Sequence, residues 1–89
     1  MILNVTHAEY KDEYKVFITF NNGESVVTDI KETIMNETRK IFLPLRDIEY
    51  FKSFKIRLNT ITWDNQADFA PEFLLELGKK QESINKICA

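Results

Sequence analysis

One stretch sets the terms for the whole chain: Thr60-Ile61-Thr62-Trp63-Asp64-Asn65-Gln66-Ala67-Asp68-Phe69-Ala70-Pro71-Glu72-Phe73-Leu74-Leu75-Glu76-Leu77. It reads as a strand ending at the only Trp, a polar turn, and a helix opened by Pro71. Proline suits the first helical position, because the N–H it lacks would have had no partner there. Phe73, Leu74 and Leu77 then recur at helical spacing, so one face of this helix must find a core. The last strand and the last helix are thereby required to meet.

With 89 residues the chain has room for one core and no second domain. A domain this small buries only about 60–65% of its unfolded surface, which predicts modest stability. Seven Phe, three Tyr and one Trp supply that core, since each aromatic can bury about 150–250 Å². The net charge of −2 gives no electrostatic reason to expect nucleic-acid binding by the domain. A lone cysteine, Cys88, rules out an internal disulfide and the stapled secreted class. The first residues lack the basic region and apolar run of a signal peptide, and no apolar stretch reaches the ~18 residues of a membrane span. A cytoplasmic protein is the expectation.

In chain order, Ile2 to Tyr10 alternates loosely and predicts a first strand, followed by the charged turn Lys11-Asp12-Glu13. Tyr14, Val16, Ile18 and Phe20 fall on one side of a second strand. Asn21-Asn22-Gly23 tolerates the positive φ of a tight hairpin, so Glu24 to Thr28 returns as a third strand. Asp29-Ile30-Lys31-Glu32 has the form of a capping box opening a short helix. Ile41-Phe42-Leu43 is an apolar segment stopped by Pro44, and Asp47 is the expected N-cap of a helix from Ile48 to Ser53. Phe54, Ile56 and Leu58 alternate with Lys55 and Arg57 as a half-buried strand would, with Asn59-Thr60 as its turn. The closing helix is expected to end near Gly78, leaving residues 79–89 as a tail that either prolongs the helix or frays.

Two of these stretches combine into a pattern. Phe42-Leu43-Pro44-Leu45-Arg46-Asp47-Ile48-Glu49-Tyr50-Phe51, followed by Ile61-Thr62-Trp63-Asp64-Asn65-Gln66-Ala67-Asp68-Phe69-Ala70-Pro71-Glu72-Phe73-Leu74, resembles a family of small bacterial proteins called domain of unknown function 2442. The hairpin with Phe17 to Phe20, Asn22-Gly23-Glu24 and Asp29 is similar too, so the resemblance spans roughly Val5 to Leu77. It implies a compact α+β domain. Some relatives carry a helix-turn-helix segment after the domain, and others stand beside a second small protein in an arrangement proposed to be a toxin–antitoxin pair. In this chain the stretch after Leu77 is too short for two packed helices and a turn. The chain also departs from the family after Trp63, where Pro then Asn-Gly is usual and Asp64-Asn65-Gln66 stands instead. A positive φ at Gln66 would cost about 1 kcal/mol relative to Gly; alternatively Asn65 takes the left-handed position.

Several residues invite a functional reading. Asp64, Asp68 and Glu72 are four apart and could hold Mg²⁺ or Ca²⁺ if one helix carried them, but Pro71 breaks such a helix. The simpler expectation is that Asp64 and Asn65 bond their own turn, Asp68 serves free N–H groups at the helix start, and Glu72 favours the helix dipole. His7 has no placed partner for catalysis, and Cys88 has no nearby His or CxxC companion. Arg39, Lys40, Arg46, Lys52, Lys55 and Arg57 interleave with Tyr50, Phe51 and Phe54, a composition that suits single-stranded nucleic acid but fits solvated cations over core aromatics better. Arg46 invites an ion pair or a partner contact, and Trp63 either anchors the core or forms a binding hot spot.

The expectation is therefore a single α+β domain over residues 1–78, an antiparallel sheet of about five strands with short helices packed on it. Its expected role is a protein-interaction module and not an enzyme, without cofactor or metal: the antitoxin-like or accessory member of a two-protein bacterial module. Its partner would be a small protein encoded nearby, and a homodimer is an open alternative. Arg46, Tyr50, Trp63, Asn65, Asp68 and Glu72 are the candidate partner contacts. A DNA-binding autoregulator and a small metal-dependent enzyme are the competing readings.

Overall fold

The alternation of Tyr14, Val16, Ile18 and Phe20 becomes the inner face of a meander, with all four side chains buried. Strands β1 (Val5–Tyr10), β2 (Lys15–Phe20) and β3 (Ser25–Asp29) pair antiparallel in that order. Gly23, at φ +87, takes the left-handed position of the β2–β3 turn, a three-residue loop of Asn21, Asn22 and Gly23 in which Asn22 does not share the positive φ. The computed structural model describes the backbone of residues 2–88 and the side chains of residues 2–82. The Cys88 thiol and most side chains of the 79–89 tail lie outside those described.

Beyond β3 come helix α1 (Lys31–Asn36), a 3-10 helix (Lys40–Arg46), helix α2 (Ile48–Phe51), strands β4 (Lys55–Arg57) and β5 (Thr60–Thr62), and helix α3 (Pro71–Cys88). Strands β4 and β5 form their own two-stranded ribbon, so the expected five-stranded sheet is replaced by one of three strands and one of two. The ribbon meets β1 at its tip, where the Val5 N–H donates to the Asn59 carbonyl at 2.8 Å.

Four local expectations are corrected. Asp29 accepts the Lys31 N–H at 3.0 Å, but α1 begins one residue later than a capping box requires, with Ile30 in the cap position. Pro44 does not stop the apolar segment; it sits inside the 3-10 helix, whose φ range matches that of the prolyl ring. In the ribbon, Arg57 pairs with Thr60, so the turn is Leu58-Asn59 and not Asn59-Thr60. Both turn residues have positive φ, 51° and 72°, a conformation that β-branched Thr60 resists most strongly. As a result Leu58 points into solvent and Ile56 is only partly covered, whereas Ile61 is fully buried.

The fourth correction concerns Gly78, which lies within α3. A Cβ there would stand 2.5 Å from Val26 Cγ2, 2.7 Å from Val26 Cβ and 2.7 Å from Thr28 Oγ1. Glycine is required for the helix to touch β3. The Thr28 hydroxyl donates to the Leu74 carbonyl across the same contact at 3.0 Å. Lys79 pairs with Glu24 at 2.6 Å. Thus α3 is fixed over β3 by close approach, one buried hydrogen bond and an ion pair. No helix among the described residues is long and apolar enough to cross a membrane.

Candidate functional site

The aromatic core converges on Phe51 and Trp63. Phe51 packs edge-to-face on Tyr14 at 5.3 Å between ring centres and lies 5.7 Å from Trp63, which in turn meets Phe69 edge-on at 5.9 Å. Trp63 is 1% exposed, and its indole N–H donates to the Phe51 carbonyl at 2.9 Å. A buried indole needs such an acceptor, and the C-terminal carbonyl of the short α2 needs a donor. Asp47 opens that helix by accepting the Glu49 N–H at 3.1 Å.

Asn65 ties the turn after Trp63 to the preceding motif. Its side-chain oxygen accepts the Ala67 N–H at 3.0 Å, its amide donates to the Ile41 carbonyl at 2.8 Å, and its own N–H donates to the Tyr50 hydroxyl at 3.2 Å. With those bonds fixing Asn65, the left-handed position falls to Gln66, at φ +71. The segments around Pro44 and Trp63, distant in sequence, are therefore one hydrogen-bonded unit.

Beside that unit lies a cavity of about 520 Å³ lined by Arg57, Leu58, Thr62, Trp63, Gln66 and Asp68. Leu58, at the hairpin tip, is 93% exposed. Two of the lining residues, Leu58 and Gln66, hold positive φ without being glycine. Such strain persists where the surroundings enforce it and collects at binding sites.

Of the candidate contacts, Trp63 and Asp68 meet at this cavity, while Tyr50 and Asn65 bond each other and do not line it. Arg46 lies elsewhere. Its guanidinium donates to the Met35 and Glu37 carbonyls at 3.1 and 3.2 Å, closing the end of α1, while its own carbonyl accepts the Tyr14 hydroxyl. It makes no ion pair with Asp47 among the described residues. Trp63 lines the cavity but has almost no surface to offer a partner. Arg57, Leu58, Thr62 and Gln66 were missed by the sequence reading; the signal was Leu58 beside Asn59, where a two-residue turn leaves no inward direction.

The three acids do not converge. Asp64 faces Lys55 at 3.3 Å and Arg57 at 3.7 Å, Asp68 sits in an isolated bridge to Thr62, and Glu72 is in the first turn of α3. Asp68 does not cap α3, whose first bond runs from the Leu74 N–H to the Ala70 carbonyl at 3.1 Å. No group of three or more His, Cys, Asp and Glu among the described residues is placed to hold a metal ion. The basic run is likewise dispersed: Arg39 pairs with Glu37 at 2.9 Å and Lys52 with Glu49 at 3.5 Å. Hydrogen bonds from Arg39 hold the Glu37 carboxyl down at about 2, well below its usual 4.5.

Residues 5–80 match the family described as "Protein of unknown function (DUF2442)". The chain belongs to this family. Within this DUF2442 domain the match begins at β1 and runs past Gly78, so it takes in the meander, the Pro44–Trp63 unit and the contact of α3 with β3. No curated protein and no solved structure matches the chain.

Proposed function

We propose that this domain is a protein-interaction module, the antitoxin-like or accessory member of a two-protein bacterial pair, acting by binding and not by catalysis. The observation that carries the reading is Leu58. A leucine at 93% exposure and φ +51 is disfavoured twice, since its side chain meets water and its backbone is strained. Asn or Gly would serve the two-residue turn better on both counts. Burying that side chain against a partner recovers about 1.5–3 kcal/mol. The adjoining cavity, with Arg57 and Asp68 in its lining, sets polar groups beside this apolar contact, as interfaces commonly do. The partner is a small protein encoded beside this chain.

Leu58→Asn separates binding from folding. It should raise stability by about 1 kcal/mol by relieving the left-handed leucine, while co-purification with the neighbouring gene product drops at least tenfold. Co-expression of the wild-type chain should also lift any growth arrest caused by that product alone. A neighbour that never co-purifies with the wild-type chain, or one held equally by Leu58→Asn, would rule the reading out.

A further inference from the structure

The outer edge of β3 carries a second feature, independent of the hairpin tip. The Ile30 N–H bonds the Tyr14 carbonyl and the Phe20 N–H bonds the Glu24 carbonyl, which fixes the phase of the β2–β3 ladder. In an antiparallel pair, alternate residues turn their backbone groups toward the neighbour. Val26 and Thr28 therefore face β2, while Ser25, Val27 and Asp29 turn N–H and C=O away from it. At Asp29 both groups are taken by one side chain: Gln81 of α3 accepts the N–H at 2.9 Å and donates to the carbonyl at 2.9 Å. That is the two-bond exchange an added strand would make, performed by a side-chain amide. Ser25 and Val27 have no such partner among the described residues.

We infer that the Ser25–Val27 edge of β3 receives an extended segment of a partner polypeptide as a fourth strand, with Gln81 marking where the pairing stops. The recognised chemistry is the peptide backbone itself, in four main-chain hydrogen bonds. On the solvent face, half-buried Phe17 lies across from Val27, which is 41% exposed, and offers the strand's side chain an apolar neighbour. A depression of about 470 Å³ lined by Lys15, Val27, Asp29, Gln81 and Glu82 opens at the Gln81 end.

The occupant is not β3 of a second copy paired antiparallel. That symmetry places both α3 helices on the same face, each directly over its own β3 as Gly78 dictates. Neighbouring strands lie about 4.8 Å apart, but packed helices need about 8–10 Å between axes. A strand without a helix above it fits, provided its inward side chain is small.

Amide hydrogen exchange on the full chain tests this, with a synthetic peptide of residues 22–30 as the helix-free strand. In the protein alone, Val26 and Thr28 amides should exchange slowly and Ser25 and Val27 rapidly, at low and high protein concentration alike. Peptide at ten times its dissociation constant should slow Val27 exchange about tenfold. Ser25 exchange should slow with it, and Val27→Pro should abolish that protection at Ser25, because it deletes an outward N–H without removing a bond to β2. A Val27 amide already protected in the dilute chain overturns the proposal, as does protection that grows with protein concentration or exchange that peptide leaves unchanged. Leu58→Asn should leave the peptide effect intact, so failure of the edge and failure of the hairpin-tip reading remain distinguishable.

Discussion

Gly78→Ala tests how α3 is seated. Helix propensity alone predicts a gain of about 1 kcal/mol, since Ala is the best and Gly among the worst of helix residues. The packing predicts the opposite. All three nearest atoms fall under 3.0 Å from the added methyl, and one of them, Val26 Cβ, is fixed by the backbone of β3. No rotamer change removes that overlap, so the helix must lift by about 1 Å to restore ordinary contact of about 3.5–4 Å. Overpacking of this kind costs about 1–3 kcal/mol. Lifting also stretches the buried bond from Thr28 to the Leu74 carbonyl, worth about 1 kcal/mol. Set against the propensity gain, the net loss should be about 1–3 kcal/mol. Urea unfolding reads it as a lower midpoint at unchanged slope, equivalent to a fall in Tm of roughly 4–8 °C per kcal/mol. Val26→Ala in the same chain removes the closest atom but keeps the Cβ, so it should rescue part of the loss and no more. A midpoint that rises with Gly78→Ala, or exact additivity with Val26→Ala, would show that the glycine makes no contact of consequence.

Other substitutions probe the unit around Trp63. Asn65→Ala removes the bonds to Ile41 and Ala67 and should cost about 1–2 kcal/mol; a calorimetric Tm within a degree of wild type would contradict the role given to this side chain. Trp63→Phe strands the Phe51 carbonyl and leaves a void, costing about 2–4 kcal/mol by urea unfolding. Glu37 should titrate near 2 by carboxyl NMR. Because its folded pKa is depressed, its contribution to stability is full above the unfolded value near 4.5 and fades as pH falls toward 2. Glu37→Gln should therefore flatten the acid limb of the stability profile, and a carboxyl midpoint above 4 would exclude the pairing.

The meander was legible because its signals agree at every level. Inward Val16, Ile18 and Phe20 alternate strictly, and Gly23 supplies the positive φ that the hairpin needs. The Asp47 cap was legible for the same reason, being a local demand with one common solution. The misreadings have a shared cause: a residue with two physical uses. Glycine ends helices and also lets them approach strands, and only the third dimension shows Val26 and Thr28 waiting opposite Gly78. Proline breaks an α-helix yet fits a 3-10 turn, so Pro44 gave the wrong boundary.

The ribbon shows how far one such choice reaches. Moving the turn from Asn59-Thr60 to Leu58-Asn59 changes every cross-strand partner, so that Ile56 opposes Ile61 and Arg57 opposes Thr60. The buried side chains of the ribbon then come from β5 alone: Ile61 is buried on one face and Thr60, whose hydroxyl donates to the Phe69 carbonyl, on the other. Leu58 is left outside on a strained backbone. Where local preference and final structure disagree without a packing gain, something other than the fold has the better claim on the residue. At Gly78 the disagreement is repaid by the contact with β3. At Leu58 nothing within the described residues repays it, and this difference is why Leu58, and not Trp63, carries the functional reading.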